Sequence, residues 1–105
     1  MRVDAISLWS VDGDDARLEG GLISDRSGRT RIDVSKSHAE TRDLPSDVTG
    51  WFVYVSKHAT VKPDGRPPEE ALVPVYEGNV VDHDPEGRTG RTYLTCEPAG
   101  FIDPR

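Results

Sequence analysis

Residues Gly50 to Val61, with the sequence Gly-Trp-Phe-Val-Tyr-Val-Ser-Lys-His-Ala-Thr-Val, form the densest run of β-branched and aromatic residues in this chain. The run predicts a β-strand, because successive side chains of a strand point to opposite faces. One face would carry mainly apolar side chains, interrupted only by Lys57: Trp51, Val53, Val55, Ala59 and Val61. The other would carry Phe52, Tyr54, Ser56, His58 and Thr60. We expect the first face to line the core and the second to be partly covered.

Five further stretches have strand character and are separated by Gly, Pro and Asp turns: Val3 to Val11, Ala16 to Ser24, Arg29 to Lys36, Ala71 to Val81 and Arg91 to Glu97. Gly20 and Gly21 interrupt the second stretch and indicate a bulge or a sharp bend. Phe101 and Ile102 suggest a short final strand. Residues 37–44 do not show the alternation of a strand, and Ser37 followed by Glu40 fits a helix capping box. One or two helical turns are expected there.

This element order predicts one all-β domain over residues 1–105, mainly antiparallel, with at most one short helix. A barrel is favoured over a sandwich because closure removes exposed strand edges. A five-stranded oligonucleotide/oligosaccharide-binding barrel is the specific alternative, since it shares this order of elements. We expect seven residues in the core: Leu18, Ile32, Val34, Trp51, Val53, Val55 and Val75.

The chain carries 19 acidic and 13 basic residues, a formal net charge of −6. This balance disfavours binding to nucleic acid or to an anionic membrane, which both require positive charge, and it favours a basic partner. The amino-terminal residues lack the apolar run of a signal peptide, and no stretch approaches the roughly 18 apolar residues of a membrane span. We therefore expect a cytoplasmic protein. The single cysteine, Cys96, excludes an internal disulfide and a multi-cysteine zinc site. We predict no metal and no cofactor.

Three histidine-containing or acidic segments invite a chemical interpretation. His58 shares a strand face with Tyr54, so an enzyme would use His58 as general acid or base, with Tyr54 orienting it and His83 or Cys96 assisting. His83 is flanked by two aspartates, although neighbours on a strand cannot all point to one site. The run from Asp12 to Asp15 has the carboxylates of a calcium loop but not its spacing. A solvated polar face, a polar turn and a hairpin turn are the simpler interpretations of the three.

The only basic clusters are two turns, Arg26 to Arg31 and Arg88 to Arg91. Their guanidinium groups suit phosphate, and a single-stranded nucleic-acid platform would combine them with exposed aromatic rings such as Trp51, Phe52 or Tyr54. The negative net charge opposes this alternative.

Taken together, these features favour a non-enzymatic protein-binding module, such as an inhibitor, an immunity protein or an accessory subunit, that presents an acidic surface to a partner. Homodimerisation is a further expectation. The candidate binding residues are Trp51, Tyr54, His58, Arg29, Arg31, Arg88 and Arg91. A small β-barrel enzyme or ligand-binding protein using His58, Tyr54 and His83 is the first alternative. A single-stranded nucleic-acid binder is the second.

Overall fold

The computed structural model describes residues 1–36, 43–85 and 90–98. Its strands are β1 (Arg2–Val3), β2 (Ala5–Trp9), β3 (Asp15–Leu18), β4 (Gly21–Arg26), β5 (Arg29–Ser35), β6 (Phe52–Val61), β7 (Glu69–Asp84) and β8 (Arg91–Pro98). They form one antiparallel sheet in the order β1-β4-β5-β8-β7-β6-β2-β3. The predicted all-β, antiparallel class is confirmed.

The ends of this sheet are β1 and β3, so the hydrogen-bonded ladder does not close into the barrel that we favoured. Short connections interrupt the first part of the chain at two points. Asp4 alone separates β1 from β2, and Gly20, with a φ of 93°, lies between β3 and β4. β1 then pairs with β4, whereas β2 pairs with β3 and β6. Eight strands without closure also differ from the five-stranded alternative.

The core is built from apolar side chains that alternate with outward-facing ones along each strand. Its fully buried members are Val3, Ile6, Leu8, Leu18, Ile32, Val34, Val48, Val53, Val55, Val80, Leu94 and Cys96. Five of the seven predicted core residues are among them, while Trp51 and Val75 are half-buried and pack against the cluster. In β2 the choice of face was ambiguous from the pattern, and the structure turns Ile6 and Leu8 inward.

The distal parts of β6 and β7 leave the core. A register shift between Val55 and Ser56 marks a bulge, and from Lys57 onward β6 pairs only with β7. We call residues 57–61 and 69–73 the projecting ribbon. None of them belongs to the described core cluster. Ala59 and Val61, which we expected in the core, are half-buried on this ribbon because no third described strand lies beside it.

The molecule is less compact than is usual for a chain of its length. The Cα radius of gyration is 14.8 Å, against about 13 Å for a compact chain of this length.

Several predicted features fall on residues outside the described part of the chain. These are most of the expected helix (residues 37–42), Arg88, and the strand at Phe101 and Ile102. Asp43 and Leu44 form a turn and a bend rather than a helix. Within the described ranges, no helix is long and apolar enough to cross a membrane.

Candidate functional site

The outer surface of β2 and β6 carries a cluster of aromatic side chains. Because Ile6 and Leu8 point into the core, the alternation of β2 turns Trp9 outward. The same rule turns Phe52 and Tyr54 outward on β6. Trp9 and Phe52 are directly opposite in the ladder, and their rings stack at a centroid distance of 6.0 Å and an interplanar angle of 28°. We call Trp9, Phe52 and Tyr54 the aromatic face.

The aromatic face lies near one end of the sheet. β3, the end strand, places Asp15 opposite Trp9 and Arg17 opposite Ser7. A shallow open depression lies between them, lined by Ser7, Leu8, Trp9, Asp15, Ala16, Arg17 and Tyr54. Trp9 remains 41% exposed despite its stacking partner. A large aromatic pair therefore stays accessible beside the terminal strand of the described sheet.

Acidic residues lie on both strands that flank this cluster and in the turn that follows Trp9. The turn from β2 to β3 is closed by Ser10, whose hydroxyl accepts hydrogen bonds from the backbone N–H groups of Asp12 (3.2 Å) and Asp14 (3.1 Å). These bonds leave the side chains of the turn exposed to solvent. On the opposite flank, Glu77 of β7 is paired with Tyr54. We call Asp12, Asp14, Asp15 and Glu77 the acidic rim. Arg17 lies on the same strand as Asp15.

The acidic turn has the structure of a hairpin turn. Gly13 adopts a φ of 96° and donates its N–H to the carbonyl of Ser10 at 3.2 Å. Within the described ranges, no group of three or more histidine, cysteine or acidic side chains is arranged to hold a metal ion.

His58 and Tyr54 are on the same side of β6 but do not form one site. The His58 imidazole is 55% exposed on the projecting ribbon, where its Nδ1 atom lies 3.6 Å from the Asp4 carboxylate. The same carboxylate accepts the His58 backbone N–H at 2.7 Å. Four residues of strand separate His58 from Tyr54, a distance of about 13 Å. The two side chains are therefore too far apart for Tyr54 to orient the imidazole.

His83 has a structural role that the sequence pattern did not reveal. Its Nδ1 atom accepts the backbone N–H of the buried Val48 at 3.2 Å, so the ring proton is on Nε2, 3.2 Å from the hydroxyl oxygen of Thr92. That hydroxyl donates in turn to the carbonyl of Asp84 at 3.1 Å. Burial lowers the pKa of His83, and three nearby carboxylates oppose this effect only partly. A neutral imidazole thus attaches the segment before β6 to the sheet.

Cys96 is buried in the core, on the same side of β8 as Leu94. Burial raises the pKa of its thiol to about 12, so a thiolate is scarce at neutral pH. This environment is unfavourable for a nucleophile.

Three of the arginines proposed as phosphate ligands have partners within the protein. Arg29 forms an exposed ion pair with Glu97 at 3.1 Å. The Nε group of Arg91 donates to the Asp33 carboxylate at 2.5 Å, and a second N–H donates to the Asp33 carbonyl at 3.1 Å. The guanidinium of Arg31 lies 4.4 Å above the ring of Tyr93. These groups are on β5 and β8, which β7 separates from the aromatic face.

Comparisons with protein-family models, with curated proteins and with solved structures find no match for this chain.

Of the predicted binding residues, the structure places only Tyr54 on the aromatic face. Trp51 precedes β6 and is half-buried, held by backbone hydrogen bonds to Val48 (3.0 Å) and Val80 (2.9 Å). Trp9, which was not among the predicted binding residues, is the exposed tryptophan of the aromatic face. Alternation puts Trp9 on the opposite face of β2 from Ile6 and Leu8, but both faces carry apolar residues, so the pattern alone does not tell which face is exposed.

Proposed function

We propose that this protein is a non-enzymatic binding module whose aromatic face and acidic rim bind a basic, partly apolar segment of a partner protein. The observation that carries the proposal is the stacked Trp9–Phe52 pair, which lies outside the core at the end of the sheet.

The chemistry of the aromatic face suits a protein partner. Tryptophan and tyrosine are enriched among the residues that dominate the energetics of protein interfaces. Stacking on Phe52 restricts the Trp9 ring, so binding costs less side-chain entropy than it would for an isolated exposed tryptophan. An arginine or lysine of the partner gains a cation–π contact when it lies over such a ring.

Charge favours a basic partner over an acidic one. Asp15 and Glu77 are paired with Trp9 and Tyr54 of the aromatic face, Asp12 and Asp14 lie in the turn that follows Trp9, and Arg17 is paired with Ser7; the whole chain has a net charge of −6. Complementary charge accelerates association and excludes acidic competitors. Binding should therefore weaken as the salt concentration rises, as expected when exposed charges are screened.

The end strand supplies a second mode of contact. β3 pairs only with β2 among the described strands, so its other edge offers backbone N–H and C=O groups. An extended segment of a partner can add to such an edge by β-augmentation while its side chains contact the aromatic face. This mode fits a basic strand or hairpin better than a helix.

The test begins with cross-linking of the purified chain in extract of its own cells, followed by identification and purification of the bound protein. Affinity is then measured by isothermal calorimetry for the wild type, for Trp9→Ala and for Leu22→Ala. Leu22 is a suitable control because it is also exposed but lies on β4. We expect Trp9→Ala to weaken binding about 30-fold or more, as for an interface hot spot, and Leu22→Ala to change it less than about threefold.

Equal binding by the wild type and Trp9→Ala would overturn the proposal. Salt-sensitive binding of a single-stranded oligonucleotide that survives Trp9→Ala would overturn it in favour of the nucleic-acid alternative.

A further inference from the structure

The projecting ribbon lacks the support that a two-stranded element normally needs. A two-stranded hairpin is marginally stable in water unless a third strand or another surface covers one of its faces. Residues 57–61 of β6 pair only with β7, and residues 69–73 of β7 pair only with β6. None of these residues reaches the described core.

The two faces of the ribbon differ. One face continues the inward-facing side of β6, and we call it the inner ribbon face. Its members form three cross-strand pairs: Lys57 with Val73, Ala59 with Ala71, and Val61 with Glu69. All but Glu69 are half-buried, whereas the opposite face holds the exposed side chains of His58, Thr60, Glu70 and Leu72.

The inner ribbon face is arranged symmetrically about its centre. The smallest side chains, Ala59 and Ala71, form the middle pair and permit close approach of a second surface. The pair on one side contains a cation, Lys57, and the pair on the other side contains an anion, Glu69, on the neighbouring strand. Neither charge has an ion-pair partner within the described part of the chain.

This arrangement is complementary to itself. A two-fold axis perpendicular to the strands, passing between two facing ribbons at the Ala59–Ala71 pair, brings the Lys57–Val73 pair of one copy over the Val61–Glu69 pair of the other. At each end of the contact, Lys57 of one copy then lies opposite Val61 of the other copy, and Glu69 of that other copy is on the strand next to this Val61. Facing sheets pack about 10 Å apart, a separation that extended lysine and glutamate side chains span together.

We infer that the protein forms a symmetric homodimer in which two projecting ribbons pack through their inner faces. The interface is isologous, as in most homodimers, and consists of a small apolar centre between two reciprocal ion pairs, one at each end. It is independent of the aromatic face, so it goes beyond the proposed function and leaves that face accessible in the dimer.

The size of the interface sets its strength. Each inner ribbon face contributes the six residues of its three cross-strand pairs, well below the roughly 20–30 per partner of a standard interface. We therefore expect a dissociation constant in the micromolar to millimolar range. Sedimentation equilibrium of the full chain between about 10 μM and 1 mM covers this range, and the average mass should rise from 11.6 kDa towards twice that value.

Two variants test the geometry. Ala59→Arg inserts a long charged side chain at the two-fold axis, so the chain should remain monomeric across the concentration series. Thr60→Arg is the matched control, because Thr60 is the next residue of β6 and points to the exposed face. It should dimerise within about threefold of the wild type. Circular dichroism and thermal unfolding of both variants distinguish loss of contact from loss of folding.

A charge exchange tests the reciprocal pairing. Lys57→Glu and Glu69→Lys should each weaken dimerisation about tenfold or more, since each replaces two attractions by two repulsions. An equimolar mixture of these two variants should recover dimers, because each then faces the opposite charge. A wild type that stays at 11.6 kDa throughout, equal effects of Ala59→Arg and Thr60→Arg, or no recovery in the mixture would each overturn the inference. None of these results depends on Trp9.

Discussion

Mild acidification is expected to destabilise the fold through His83. The folded protein uses the unprotonated Nδ1 atom of His83 to accept the backbone N–H of Val48. Protonation of Nδ1 converts this acceptor into an N–H donor that faces the N–H of Val48, so the hydrogen bond between them is lost. Burial lowers the pKa of His83 below its ordinary value of about 6.5, whereas the unfolded chain keeps the ordinary value.

The direction of the pH effect follows from this difference. Below about pH 6.5 the unfolded chain binds a proton that the folded chain does not yet bind, so acid favours unfolding. The stabilisation is complete above about pH 6.5 and is lost as the pH falls towards the folded pKa. One proton gives a slope of at most about 1.4 kcal/mol per pH unit. Removing the imidazole instead leaves the N–H of Val48 without its acceptor, which costs about 1–3 kcal/mol.

The assay is urea unfolding between about pH 5 and 7.5, a window in which histidines titrate and most carboxylates do not. The wild type should lose stability across this window, and His83→Ala should be less stable at the upper end but nearly independent of pH. His58→Ala is the control, because the exposed His58 imidazole accepts no buried N–H, and it should keep the wild-type profile. A flat wild-type profile, or the same pH dependence in His83→Ala, would refute the reasoning.

Three further predictions concern the core and the β5–β8 surface. Cys96 should resist labelling by a thiol reagent at about pH 8 in the folded protein and react fully in urea, because burial raises its pKa to about 12. Gly78→Ala should cost about 3 kcal/mol or more in chemical unfolding, since a Cβ atom there would collide with the backbone carbonyl of Glu97. Arg91→Ala should cost about 1–3 kcal/mol, and Arg91→Lys should recover only part of this, because one ammonium cannot reproduce the forked contact with the carboxylate and the backbone carbonyl of Asp33.

Alternation along single strands made much of the fold predictable. The pattern of β5 placed Ile32 and Val34 inward, and that of β6 did the same for Val53 and Val55; both assignments are confirmed. The interruption of the strand at Gly20 was also predictable, because glycine is the residue that most readily adopts the positive φ found there. These features are local, so a strand period and a turn residue suffice to reveal them.

Features that depend on distant residues were not predictable. Ala59 and Val61 have the alternation of a core strand, yet whether a strand packs on the core or projects from it depends on the number of neighbouring strands. The role of His83 depends on Val48, which is far away in the sequence and comes close only through the fold. The outward position of Trp9 was ambiguous because both faces of β2 carry apolar residues.

The order of strands in the sheet has a consequence for the rate of folding. The ladders β2–β3, β4–β5, β6–β7 and β7–β8 join strands that are consecutive in the chain, so each can form as a local hairpin. The other three ladders join strands that are not consecutive: β1 pairs with β4 across about 20 residues, and the two longest junctions join β2 to β6 and β5 to β8, across roughly 50 and 60 residues of chain. Closing such long loops before their contacts form is entropically costly. Refolding should therefore occur on the millisecond-to-second scale of β proteins rich in non-local pairs. We expect the local hairpins to form early and the β2–β6 and β5–β8 ladders to form last.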